Sequence, residues 1–127
     1  MLTAEPATTL ARLVRAGDRD AWRQHNEAFF DRFDLLLTPV VASSPIEAGR
    51  WSERGWIANV HANVRFAPFT GAWNFAGYPA ASVPAGRHAN GSPLSVQIVG
   101  SRGREGLILS LARQLEILQP WPRHAPL

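Results

Sequence analysis

Four histidines (His25, His61, His88, His124) and scattered serines are the residues here whose types could supply a nucleophile and its base. A serine hydroxyl attacks a carbonyl only when a positioned base takes its proton. No Gly-x-Ser-x-Gly elbow occurs, and His88 and His124 fall in a turn and in the tail. His25 lies close to the apolar side of a predicted helix, which suits packing. An amine base is excluded, because all 13 basic residues are arginine and arginine keeps its proton in proteins. The absence of cysteine excludes thiol catalysis and thiolate metal sites. For metals, His61 with Asn63 and His25 with Glu27 are spaced i, i+2, which points two helical side chains apart. No catalytic residue, metal site or cofactor is therefore predicted from these residues. Asn90-Gly91-Ser92 fits a glycosylation acceptor, but Pro93 follows and a hairpin turn explains the triplet better. Gly100-Ser-Arg-Gly103 precedes a helix, where an anion can bind, yet so short a glycine turn also serves as a plain connection.

The elements that would position such residues follow from periodicity and punctuation. Residues 7 to 16 read as a short helix stopped by Gly17, and Asp18 caps a second helix running to about Phe33. Trp22, Phe29, Phe30 and Phe33 recur at helical period on one side of it. Leu35-Leu36-Leu37, bounded by Asp34 and Pro39, predicts a short strand buried on both sides. Ser43-Ser44-Pro45, Gly49 and Gly55 mark a long loop, either a plain connection or the rim of a site. Trp56 to Val64 reads as a helical turn or short helix, and Phe66 to Ala76 as a helix ended by Gly77 and Pro79. An extended stretch over Ala80 to Pro84, a tight Asn90-Gly91 hairpin and a strand over Leu94 to Val99 come next. A last helix spans Glu105 to Leu118, with Leu107, Leu111, Leu115 and Leu118 in one stripe. The fold class is α/β, a partial mixed sheet flanked by helices. One strand pair forms a hairpin while the leucine strand stands apart and lacks neighbours, which predicts a missing part of the fold.

Bulk properties narrow the field further. A chain of 127 residues with 46% hydrophobic and 18% charged residues is globular and holds one domain at most. The net charge of +3 comes from scattered arginines with no run of three, which argues against a nucleic-acid reader. No apolar stretch approaches the 18 or so residues needed for a membrane span. The first thirty residues are interrupted by charge and carry no secretory core, so a cytoplasmic location is expected.

Three segments together carry a family resemblance. Phe69-Thr-Gly-Ala-Trp-Asn-Phe-Ala-Gly-Tyr-Pro-Ala-Ala-Ser-Val-Pro-Ala-Gly86 resembles the amidase-signature segment in which an aromatic-Asn helix runs into Gly-x-Pro-Ala-x-Ser-Val-Pro. Asn90-Gly-Ser-Pro-Leu-Ser-Val-Gln-Ile-Val-Gly100 is similar to that family's Gln-hydrophobic-Val-Gly hairpin, and residues 105 to 118 match its final helix. Upstream, Phe33-Asp-Leu-Leu-Leu-Thr-Pro39 resembles the family's aromatic-Asp-hydrophobic-Thr-Pro element. The resemblance covers nearly the whole chain, in the family's order.

The resemblance implies that residues 1–127 are the C-terminal portion of an amidase-like domain. Members of the family hydrolyse or transfer amides with a serine nucleophile, a second serine joined through a cis peptide, and a lysine base. Their Gly/Ser-rich catalytic region has no counterpart here, so no catalytic residue carries over. What carries over is scaffold and part of a substrate pocket: Thr38, Pro39, Phe69, Thr70 and Asn74 would line it. Thr38 and Asn74 equally suit local capping, and a phenylalanine such as Phe69 is more often core than contact. The partners implied are the missing N-terminal catalytic part and a small amide substrate, with no nucleic acid and no membrane. The oligomeric state stays open, an oligomer included. Two other readings stay open: a transamidation component resembling the glutamyl-tRNA amidotransferase of this family, and a non-catalytic binding module.

Overall fold

The computed structural model describes residues 19–47 and 49–121. The helix expected over residues 7–16, the Asp18 cap and His124 lie outside the described residues.

Three strands form one sheet: β1 (Leu35–Pro39), β2 (Ala80–Arg87) and β3 (Pro93–Gly100), in the order β1-β3-β2. The leucine strand therefore does not stand apart. It pairs with β3, Leu36 opposite Val99 and Thr38 opposite Gln97. The sheet, expected to be mixed, is antiparallel in every described pairing. Central position explains why β3 holds the largest fully buried side chains, Ile98 and Val99, both with no exposed surface. Full burial of such side chains contributes ~1.5–3 kcal/mol each. The leucines of β1 divide by strand alternation. Leu36 packs with Val99, Trp73 and Tyr78 on one face, whereas Leu35 packs with Ile98 and Ile108 on the other. Leu37 is exposed, so β1 is an edge strand and not one buried on both sides. Three consecutive apolar residues carry no record of which edge they will occupy.

The β2–β3 connection is a hairpin, but not a two-residue one. Gly91 N–H donates to the His88 carbonyl (2.9 Å) and His88 N–H to the Ser92 carbonyl (2.8 Å). A two-residue type I′ turn would need positive φ at both central residues. Among the described residues only glycines have positive φ, Gly91 at 83°. Asn90 instead accepts from Ser92 N–H through Oδ1 (3.1 Å).

Helix α1 (Arg19–Phe30) covers the Val99 face. Its Trp22 and Phe30 meet Trp73 and Tyr78, with ring centroids 5.8 Å apart for Trp22–Trp73 and 5.4 Å for the stacked Phe30–Tyr78 pair. Phe29 and Phe33 pack as a tilted pair (ring centroids 4.9 Å apart), and Phe33 lies beyond the helix and is exposed. His25, expected against the apolar side, is exposed, while Asn26 is buried and donates to the Trp22 carbonyl (2.7 Å). Helix α2 spans Trp56–Phe66 and α3 Gly71–Ala76. The single helix expected over Phe66 to Ala76 is thus split by Pro68, which lacks an N–H and pushes Ala67 out of helical geometry (φ −122°, ψ 59°). Gly77 ends α3 as expected. At φ 71° it lets Gly77 N–H reach the Asn74 carbonyl and Tyr78 N–H the Trp73 carbonyl. Helix α4 (Glu105–Leu118) covers the opposite face through Ile108, Leu111, Ala112 and Leu115. Its stripe is rotated from the expected one, leaving Leu118 exposed.

The long loop after β1 folds back on α2. Ala42 N–H donates to the Phe66 carbonyl (2.8 Å), and a 3-10 turn at Trp51–Glu53 is pinned by Asn59 Nδ2, which donates to the carbonyls of Trp51 (3.0 Å) and Arg54 (3.0 Å).

Candidate substrate-facing site

Gln97 is the side chain around which the predicted residues gather. It sits on central β3, is 5% exposed, and projects to the same face as Val99. Its Nε2 donates to Thr38 Oγ1 on β1 (3.2 Å) and to the Phe69 carbonyl on the turn before α3 (3.3 Å). One amide thus ties two strands and the 67–70 turn together. A buried amide left unpaired would cost ~1–3 kcal/mol per group, so these bonds fix their partners' positions. Thr38 accepts from Gln97 and keeps its own hydroxyl proton to donate.

The five predicted residues divide. Thr38 and Phe69 are brought together by Gln97. Pro39 follows Thr38 on the edge strand and is exposed. Thr70 is half-buried, and its hydroxyl donates to the Ala67 carbonyl (3.4 Å), a local backbone role. Asn74 lies one turn further along α3, is exposed, and lines a different groove with Arg102 and Glu105. Gln97 was not among the predicted residues. Its signal was present: a Gln between Val96 and Ile98 points to the opposite face from both, and an amide there must find partners.

A second set of contacts fixes α3, which carries Asn74. Arg23 Nε donates to the Ala76 carbonyl (2.9 Å), and Tyr78 Oη donates to the Arg23 carbonyl (3.2 Å). The guanidinium thereby faces the C-terminal, negative end of α3, a favourable placement. Burial holds the Tyr78 phenol above its ordinary pKa, with a further push from the Glu27 carboxylate. Glu27 also pairs with Arg102 (3.0 Å), but both side chains are about half exposed, so the pair adds little.

Nothing in the described residues makes an acid–base pair for catalysis. No serine hydroxyl there is hydrogen-bonded to a histidine, and no group of three or more His, Cys, Asp or Glu is arranged to hold a metal. His25 and His61 are exposed, and His88 holds its Nε2 buried in the hairpin without a partner. No helix among the described residues is long and apolar enough to cross a membrane.

Comparison with known proteins gives a consistent picture. The family model described as Amidase matches residues 3–109. AmiB2 of Mycobacterium tuberculosis, an amidase by name, is 36% identical over 100 residues, covering 79% of this chain and 22% of that protein. The chain therefore spans less than a quarter of the length of that curated relative. The solved structure of 6-aminohexanoate cyclic dimer hydrolase superposes with a TM-score of 0.70 at 28% identity, covering 97% of this chain and 29% of that one. A glutamyl-tRNA(Gln) amidotransferase chain from Thermotoga maritima shares the fold, with a TM-score of 0.64 at 21% identity over 96% of this chain and 29% of its own.

Proposed function

Because this chain belongs to the amidase family, we propose that it is the C-terminal portion of a cytoplasmic hydrolase acting on carbon–nitrogen amide bonds. It contributes scaffold and one wall of the substrate pocket. The serine nucleophile, its cis-linked partner serine and the lysine base come from the remaining, N-terminal part of such an enzyme, and the substrate is a small amide. The observation that carries this reading is the Gln97 cross-link, which holds Thr38 and the Phe69 turn on one sheet face. Thr38, Pro39, Phe69 and Thr70 form the wall, with Asn74 on the helix that leaves it. In this arrangement the Thr38 hydroxyl donates to the acyl side of the amide, while Gln97 is a positioning residue behind it.

The test is a chimera of AmiB2 in which the matching segment is replaced by this chain. Release of 4-nitroaniline from an acyl nitroanilide should be seen for the chimera and not for the 127-residue chain alone. Thr38→Val in the chimera should lower kcat/KM by about tenfold, the value of one hydrogen bond in a desolvated site. A folded chimera without turnover, or turnover by the chain alone that disappears on a Ser→Ala substitution, overturns the proposal.

A further inference from the structure

The groove between the loop after β1 and α2 shares no lining residue with the five predicted for the amide-binding wall. Its walls include Ile46, Trp51 and Phe66, and its polar lining includes Arg54, His61 and Arg65, with no carboxylate side chain among the lining residues. His61 and Arg65 are spaced i, i+4 on α2 and so share one side of that helix. Arg54 comes from the loop and is held over the Trp51 ring at 4.0 Å. Trp51 is itself anchored by its indole N–H donating to the Glu47 carbonyl (3.3 Å), and Asn59 ties this turn to α2. Neither Arg54 nor Arg65 is ion-paired among the described residues, and the exposed Glu53 lies 3.4 Å from Arg50. Two arginines line one groove with no carboxylate side chain among its lining residues, and a carboxylate placed between them matches the guanidinium fork.

We propose that this groove is a binding site for an organic carboxylate with an apolar body. The carboxylate is held by Arg54 and Arg65, and the body lies against Trp51, Ile46 and Phe66. Arg54 is pre-positioned by its stacking, so little side-chain freedom is lost on binding. The lining residues all come from this chain, so the binding test is read separately from the activity of the amidase chimera.

The probe is 4-phenylbutyrate titrated into the 127-residue chain, followed by NMR of the tryptophan indole and arginine side-chain N–H signals. Its neutral isostere, 4-phenylbutanamide, is the comparison. The acid should shift the Trp51, Arg54 and Arg65 signals saturably and bind more weakly as salt is raised, while the amide leaves them unchanged. Arg65→Gln and Arg54→Gln should each weaken binding about tenfold, as expected for loss of a charge-assisted bond. Arg50→Gln, outside the groove, should have no effect. Arg65→Gln does not depend on the Trp51 turn, so it keeps its meaning if Arg54→Gln loosens that turn. Equal binding of the amide, no shift at Trp51, or full affinity in both groove variants refutes the site.

Discussion

Gly100→Ala measures how closely α4 is seated on the sheet. Gly100 is buried at the end of β3, and its N–H donates to the Pro79 carbonyl (3.1 Å). Its φ is not in the left-handed region, so an alanine there suffers no backbone strain. The cost is steric. A Cβ at this position would stand 3.2 Å from both Ile108 Cδ1 and Cγ1 and 3.3 Å from Leu35 Cδ2. Carbon pairs prefer about 3.5–4.0 Å, so both neighbours must yield by a few tenths of an ångström. Overpacking of this kind costs ~1–3 kcal/mol, and three short contacts in a fully packed layer place the loss at about 2 kcal/mol. Ile108→Val removes Cδ1 and alone costs about 1 kcal/mol. In the double variant the new methyl group fills part of that vacancy, so the two losses should sum to about 1 kcal/mol more than is observed. Urea unfolding followed by tryptophan fluorescence, at one protein concentration and with unchanged m-value, gives all three numbers. A Gly100→Ala chain as stable as its parent, or strict additivity in the double variant, would refute the packing argument.

Tyr78 is the chain's single tyrosine, so phenolate absorbance reports it alone. With its folded pKa raised, its contribution to stability is fully present below about pH 10 and is lost as pH climbs through the folded value. A native-state titration at or below the unfolded value would contradict this. Tyr78→Phe should remove that alkaline dependence and about 1 kcal/mol through the lost bond to the Arg23 carbonyl, read by the same urea assay. Gly77→Ala forces a Cβ into left-handed geometry at φ 71° and should cost about 1–2 kcal/mol, visible as a lower unfolding midpoint. The purified chain should bind an apolar dye such as ANS, because Trp56, Ile57 and Val60 on α2 and Leu109, Ile117 and Leu118 on α4 are exposed. Absence of dye fluorescence would show these faces covered.

The parts of the fold that depend on local rules were readable in advance. Gly77 ends α3 because only a residue without Cβ takes that conformation cheaply, and the span of α4 follows from its apolar period between a glycine turn and Pro120. What depended on distant partners was not readable. The pairing of β1 with β3, the exposure of Leu37 and the rotation of the α4 stripe are set by neighbours far away in sequence. The split at Pro68 was legible and outweighed by the apolar run around it. At the site, the Thr-Pro and aromatic-Asn motifs pointed to Thr38 and Phe69, but their link runs through Gln97. A polar residue in a strand declares its importance only when its surroundings are known to be dry.

The pairing order has a consequence for biosynthesis. Thr38 meets Gln97 across 59 residues of chain, and β3, which completes the sheet, is the last of the three strands to leave the ribosome. At about 5–20 residues per second, β1 waits roughly 3–12 seconds for its partner. During that interval a leucine-rich strand edge lacks the neighbour that will pair it and is open to wrong pairings.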